Sequence, residues 1–267
     1  MTTPQGAAAP ANPTRSSAAT DRGRPVALVT GGSRGIGLAV TEALAAYGFS
    51  VAVLGRSGAA AAERLAAAGL TTERVTAWQG DLRDESQVVS GVAAVVERLG
   101  RLDAVVNNAG VSPVRDSGLE ATTSAEWRSM IEVNLSGLYY VCRETLPHLM
   151  SADNGYLINI LSLAAHRAKA GGAIYSASKY GARALTESLA AQTAQTSVRV
   201  SAICPGPTDT GAWDLRDQPP SAAARSHMLR PASVAQAVLW LLRQPADVYI
   251  PEIRIEPRPS NAAASGG

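Results

Sequence analysis

A chain of 267 residues is long enough for one sizeable α/β domain with a large buried core. Hydrophobic residues make up 46% of it and aromatics only 4%, which suits a globular enzyme with small residues at its helix contacts. A net charge of +2 gives no reason to invoke nucleic acid or an acidic membrane surface. Cys142 and Cys204 form neither a C-x-x-C pair nor a secreted disulfide framework, so two buried thiols are expected. His148, His166 and His227 lack metal-ligand spacing, and no structural metal is expected. No apolar run reaches the ~18 residues of a membrane span. A cytoplasmic protein is the expectation.

Residues 1–24 are rich in Ala, Pro, Thr and Ser with scattered Arg, and they contain no apolar core for a secretory signal. They read as a disordered extension, with an organelle leader as the second reading. Residues 25–257 read as one catalytic domain, and 258–267 as a disordered tail. Within the domain, Val26 to Thr30 is an apolar strand that stops at a Gly-rich turn. A helix follows from Gly35 to Tyr47, with Gly48 as its cap. Val51 to Leu54 is a second strand, Ala60 to Ala68 a helix, and Arg74 to Trp78 a third strand. A helix over Asp84 to Leu99 closes at Gly100, and Leu102 to Val106 is a fourth strand.

The second half keeps the alternation. Thr123 and Glu126 form a capping box for one long helix running to about Met150. Tyr156 to Ile160 is a strand, Ile174 to Thr193 a helix, and Val198 to Ile203 a strand ending at Cys204-Pro205-Gly206. Residues 207–230 read as a loop or lid. A helix starts at Pro231 and runs to Arg243, and Ile250 to Ile255 adds a last strand. Short, wholly apolar strands alternating with helices predict a single Rossmann-type, doubly wound parallel sheet of about seven strands, with helices on both faces.

The turn after the first strand reads Thr30-Gly-Gly-Ser-Arg-Gly-Ile-Gly37. Gly31, Gly35 and Gly37 let the backbone bend sharply and approach a pyrophosphate at the helix N-terminus. An NAD-selective site usually has Asp or Glu at the end of the second strand. Here Gly55-Arg56 stands instead, and Arg34 lies inside the turn. Both guanidiniums would attract the 2′-phosphate of NADP(H).

Further motifs follow in order: Asp81, Asn107-Asn-Ala-Gly110, Asn134, Ser162, Tyr175-x-x-x-Lys179 and Pro205-Gly206. Taken together with the Gly turn, they make the stretch from Pro25 to Ile255 resemble the short-chain dehydrogenase/reductase family. The chemistry can be argued beside that resemblance. Tyr175 and Lys179 share a helix face, being four residues apart. A free tyrosine has a pKa near ~10, and lowering it by ~3 units takes about 4 kcal/mol. A close ammonium, helped by oxidised nicotinamide, would contribute much of that. Tyr175 would then donate a proton to a carbonyl or take one from an alcohol. Ser162, beyond a strand end, would polarise the substrate oxygen.

The resemblance implies the remaining roles. Asn134 would support a proton relay behind Lys179, and Lys179 would also bond the nicotinamide ribose. Cofactor contacts would come from Thr30, Ser33 and Ile36 around the Gly turn, and from Asp81 and Leu82 beside the adenine. Asn108, Ala109 and Gly110 would flank the cofactor. Pro205, Gly206, Thr208 and Thr210 would reach the nicotinamide end. The family usually forms dimers or tetramers through its long helices, so a homo-oligomer is expected, with Ala177, Ala182 and Ala184 permitting close helix approach. The chain departs from the family in placing Leu161 before Ser162, and in ending Tyr249-Ile-Pro-Glu-Ile-Arg-Ile255 rather than Val-Asp-Gly-Gly. That ending is similar to the branch holding serine 3-dehydrogenase-like and small hydroxy-acid enzymes. The implied function is reduction of a ketone or aldehyde, or oxidation of the matching alcohol. Both 3-oxoacyl and secondary-metabolite ketones stay open as substrates. A nucleotide-sensing binding protein without catalysis is the competing reading.

Overall fold

The computed structural model describes residues 23–258. Apart from residues 23, 24 and 258, the segments expected to be disordered lie outside the described residues. Seven parallel strands form one sheet in the order β3-β2-β1-β4-β5-β6-β7. They are β1 (Val26–Thr30), β2 (Ser50–Gly55), β3 (Val75–Gln79), β4 (Ala104–Asn107), β5 (Tyr156–Ile160), β6 (Arg199–Pro205) and β7 (Glu252–Ile255).

The apolar runs are explained by burial on both faces. Along β1, Val26 and Leu28 join one hydrophobic cluster while Ala27 and Val29 join the other. The first cluster lies under α3 (Glu85–Leu99), α5 (Gly137–Met150) and α6 (Ala173–Thr193). The second lies under α1 (Gly35–Tyr47), α2 (Gly58–Ala67) and α8 (Pro231–Arg243). Each fully buried Leu or Val contributes about 1.5–3 kcal/mol relative to exposure. Helix ends follow the sequence signals. Gly48 and Gly100 adopt left-handed φ values of 110° and 78° at the ends of α1 and α3. Asp84 caps α3 by accepting from the backbone N–H of Ser86 and Gln87.

Two expectations change. The long helix before Met150 is not one α-helix. It consists of α4 (Ser124–Ile131), a π-helical turn over Glu132–Ser136, and α5. The turn surrounds Asn134, whose side chain bonds the backbone of Val111. The capping box of Thr123 and Glu126 forms as expected. The last strand begins at Glu252 rather than Ile250. Pro251 has no N–H to give a ladder, and the Ile250 carbonyl accepts from Ser201 Oγ instead. The stretch 207–230 holds a 3-10 turn, Trp213–Leu215, and a short α7 (Ala222–Arg225). Cys142 and Cys204 are both buried and free. Among the described residues, no helix is long and apolar enough to cross a membrane.

Candidate active site

The strand order reverses between β1 and β4, and a cavity of about 570 Å³ opens at the carboxyl edge there. Its floor is the turn between β1 and α1. Gly31 and Gly35 take φ values of 64° and 54°, which favour glycine. A Cβ on Gly37 would run into the Gly31 carbonyl, so that position holds the turn tight. Helix α1 begins after Arg34 with no side-chain cap, which leaves its first N–H groups available to an anion. Thr41 Oγ1 braces the turn from below, donating to the carbonyls of Gly32 and Gly37 at 3.0 and 2.9 Å.

Thr30 and Asn108 lock this turn to the loop after β4. The Thr30 hydroxyl accepts from the N–H of Asn108 and Ala109 at 3.0 and 3.1 Å. The Asn108 amide donates to the carbonyl of Thr30 at 3.0 Å. At one end of the cavity stand Arg34 and Arg56, both exposed, with Ser33 and Ser57. The structure adds Arg64 from α2, which donates to Ser33 Oγ at 3.5 Å. Asp81 and Leu82 line the wall after β3. Arg83 grips the Asp81 carboxylate and holds it below the usual carboxylate pKa.

At the other end are Tyr175 and Lys179 from α6. Burial pushes the Tyr175 phenol upward, while the hydroxyls of Ser162 and Ser112 beside it pull the other way. Lys179 is 5% exposed, and burial pushes its ammonium down to about 8. Its Nζ donates to the Ile160 carbonyl at 3.4 Å and lies 5.8 Å from the Tyr175 ring centroid. Burial therefore outweighs the Ser162 and Ser112 hydroxyls, and the phenol holds its proton. The phenol is poised as an acid.

Asn134 is 1% exposed and does not line the cavity. Its Oδ1 accepts from Val111 N–H at 2.8 Å, and its Nδ2 donates to Val111 O at 3.0 Å and to Ser178 Oγ at 3.1 Å. It clamps the loop after β4 to the helix bearing Tyr175. A Cβ on Gly110 would stand 3.1 Å from Asn134 Oδ1 and 3.7 Å from Lys179 Nζ, so both groups face one point of backbone.

Of the residues expected to contact a cofactor, Gly31, Ser33, Gly35, Ile36, Ala109, Gly110 and Thr210 also line the cavity. Thr30, Gly37, Ser162, Pro205, Gly206 and Thr208 are not among its lining residues. Thr208 Oγ1 donates to the Gly206 carbonyl at 3.0 Å. Arg64 and Ser112 are the additions sequence reasoning missed. The segment after β6 is tied internally by Arg225, which pairs with Asp209 and Asp214 at 2.6 and 2.5 Å. It is seated on the loop after β4 by Arg216–Asp116 at 2.7 Å.

These features fit a dinucleotide: a glycine-rich turn, an uncapped helix start and one continuous groove leading to a phenol. A family model described as short chain dehydrogenase matches residues 25–220. The 2-(R)-hydroxypropyl-CoM dehydrogenase of Xanthobacter autotrophicus is 34% identical over 234 residues, which span 83% of this chain and 92% of that one. An alcohol dehydrogenase from Thermococcus sibiricus, complexed with 5-hydroxy-NADP, superposes with a TM-score of 0.77 at 30% identity, covering 89% of this chain and 99% of that one. The 3-ketoacyl-(acyl-carrier-protein) reductase of Brucella melitensis, complexed with NADH, gives 0.79 at 25% identity, covering 89% and 98%. Fold, groove and family match agree, and the chain belongs to the short chain dehydrogenase family of oxidoreductases.

Proposed function

We propose that the protein is an NADP(H)-dependent carbonyl reductase or alcohol dehydrogenase acting on a small-molecule ketone, aldehyde or secondary alcohol. One observation carries the reading. Tyr175 and Lys179 line the same cavity as the glycine turn, with the hydroxyls of Ser162 and Ser112 beside the phenol.

A bound nicotinamide supplies the hydride for reduction or accepts it in oxidation. Every other task falls to side chains. Tyr175 gives its hydroxyl proton to the carbonyl oxygen as the carbon is reduced, or takes the alcohol proton in reverse. The Ser162 hydroxyl donates to the same oxygen and stabilises its developing charge. The Lys179 ammonium favours the phenolate left on Tyr175 and would bond the ribose of a bound cofactor. Asn134 holds the backbone that frames the relay returning the proton. The lid, seated by Arg216 on Asp116, excludes water from the transfer.

Arg34, Arg56 and Arg64 support NADP(H) over NAD(H), because all three flank the adenosine end of the cavity. Asp81 is the one carboxylate lining the cavity among the described residues, and Arg83 already holds it. The alcohol dehydrogenase neighbour with its NADP derivative and the hydroxypropyl dehydrogenase relative support a small secondary alcohol or ketone. Exposed aromatics on the long helices, Trp127, Tyr139 and Tyr180, support a homo-oligomer built on those helices. Light scattering that returned a monomer would refute that assembly.

The test is to offer pooled ketones with NADPH or NADH and follow cofactor oxidation. Turnover, faster with NADPH, is expected. A protein that binds NADPH tightly yet oxidises it with no ketone would instead be a nucleotide sensor.

A further inference from the structure

The last strand departs from the family's usual ending, and its first residue collects an unusual set of partners. Glu252 Oε2 lies 2.8 Å from His166 Nε2 and 3.7 Å from Arg183 Nε. It also accepts from Cys204 Sγ at 3.6 Å. Its Oε1 lies 3.4 Å from Arg254 Nε. The spacing of His166, Cys204 and Glu252 along the chain gives no hint of this meeting.

Two of these partners lead straight to Ser162. His166 follows it by four residues, across the 3-10 turn Leu163–Ala165. That turn is stiff: Ala165 N–H donates to Ser162 O, and His166 N–H to Leu163 O, both at 2.9 Å. Tyr180 Oη fixes its far end by donating to His166 O at 2.5 Å. Cys204 provides the second route. Its fully buried Sγ stands between the backbone N–H of Ser162 and the Glu252 carboxylate. Burial, reinforced by the Glu252 charge, pushes the thiol up to about 12, so it keeps its proton at neutral pH. Arg183, on α6 one turn beyond Lys179, lies 3.7 Å from the same carboxylate and pairs more closely with Glu187, at 2.9 Å. A parallel clasp, Arg167 to Glu256 at 3.0 Å, joins the same two segments nearer the surface.

We propose that Glu252 is a positioning residue for Ser162, holding the Ser162 turn against β6 and β7 through His166 and Cys204. A carboxylate with several donors resists rotation of that turn more strongly than the apolar contacts of a four-residue edge strand. The proposal rests on Ser162 acting in the proposed reaction.

The test compares Glu252→Gln in two backgrounds, using whichever ketone turns over fastest in the pooled assay. With Ser162 present, kcat is expected to fall about tenfold or more, while NADPH affinity by fluorescence titration stays within about twofold. In Ser162→Ala the same substitution should add almost nothing, because no hydroxyl is left to position. His166→Ala should reproduce the loss, and His166→Gln, which can still donate to Glu252, should recover most of it. These two also serve if Glu252→Gln folds poorly. An undiminished kcat, an equal loss in both backgrounds, or a parallel loss of NADPH affinity would overturn the proposal. If the parent enzyme reduces no ketone, the functional reading fails, and deuterium exchange decides the positioning alone. Faster exchange at residues 162–167 with an unchanged glycine turn supports it. Unchanged exchange at both sites overturns it.

Discussion

The two ends of the active-site groove are built on opposite principles. At the end proposed to take the adenosine, Arg34, Arg56 and Arg64 stand exposed on a turn, a strand end and a helix. Water screens their charges, and the contact of Arg64 with Ser33 Oγ is long, at 3.5 Å. At the end proposed to take the nicotinamide, Lys179 is buried and Tyr175 is desolvated enough to move its pKa. Exposed charge can select a ligand cheaply because it costs the fold little. Buried charge can do chemistry, but the fold carries its desolvation cost in the resting protein.

Lys179→Met should break this contrast most visibly. Turnover is expected to fall by about 10²-fold or more. Stability should rise, because the lysine pKa is lowered from 10.5 to about 8, equivalent to about 3 kcal/mol of charge burial. Below the folded value the lysine is protonated in both states, and its cost is fully present. Between about 8 and 10.5 the unfolded chain holds a proton that the folded chain has shed, so parent stability climbs with pH across that window. Chemical denaturation at several pH values checks this. A variant that loses both activity and stability would contradict it.

The same group sharpens the comparison through pH. Ketone reduction should slow as pH rises through about 8, where Lys179 loses its charge while Tyr175 remains protonated. A rate flat to about pH 10 would place the relevant charge elsewhere. At the exposed end, Arg56→Ala should raise the KM for NADPH about tenfold and leave that for NADH nearly unchanged. Added salt should narrow the gap between parent and variant. Equal weakening of both cofactors would remove the 2′-phosphate contact from the account. The smallest effect belongs to neither end. Thr123→Ala breaks the capping box of α4 and should cost about 1 kcal/mol in denaturation, with KM values untouched.

What sequence could reveal follows the same division. Tyr175 and Lys179 were legible because helical periodicity puts them on one face, and Ser162 because it follows an apolar strand that must end at the ligand edge. The glycine turn was legible because its glycines sit between an apolar strand and a helix, and the left-handed φ values of Gly31 and Gly35 give the reason for two of them. The π turn was hidden, since it surrounds an Asn134 side chain that bonds the Val111 backbone across 23 positions. Arg64 was hidden because its reach depends on how α2 sits on the sheet. Ser112 depended on the path of an irregular loop. The Glu252 cluster joins three segments that only the order of β5, β6 and β7 brings together.

Tyr175→Phe tests the central claim most directly, with ketone-dependent NADPH oxidation and NADPH binding measured on one preparation. The account predicts that turnover disappears while binding stays near the parent value, since the change removes a single oxygen at the chemical end of the groove. A variant that reduced ketones at the parent rate would contradict it.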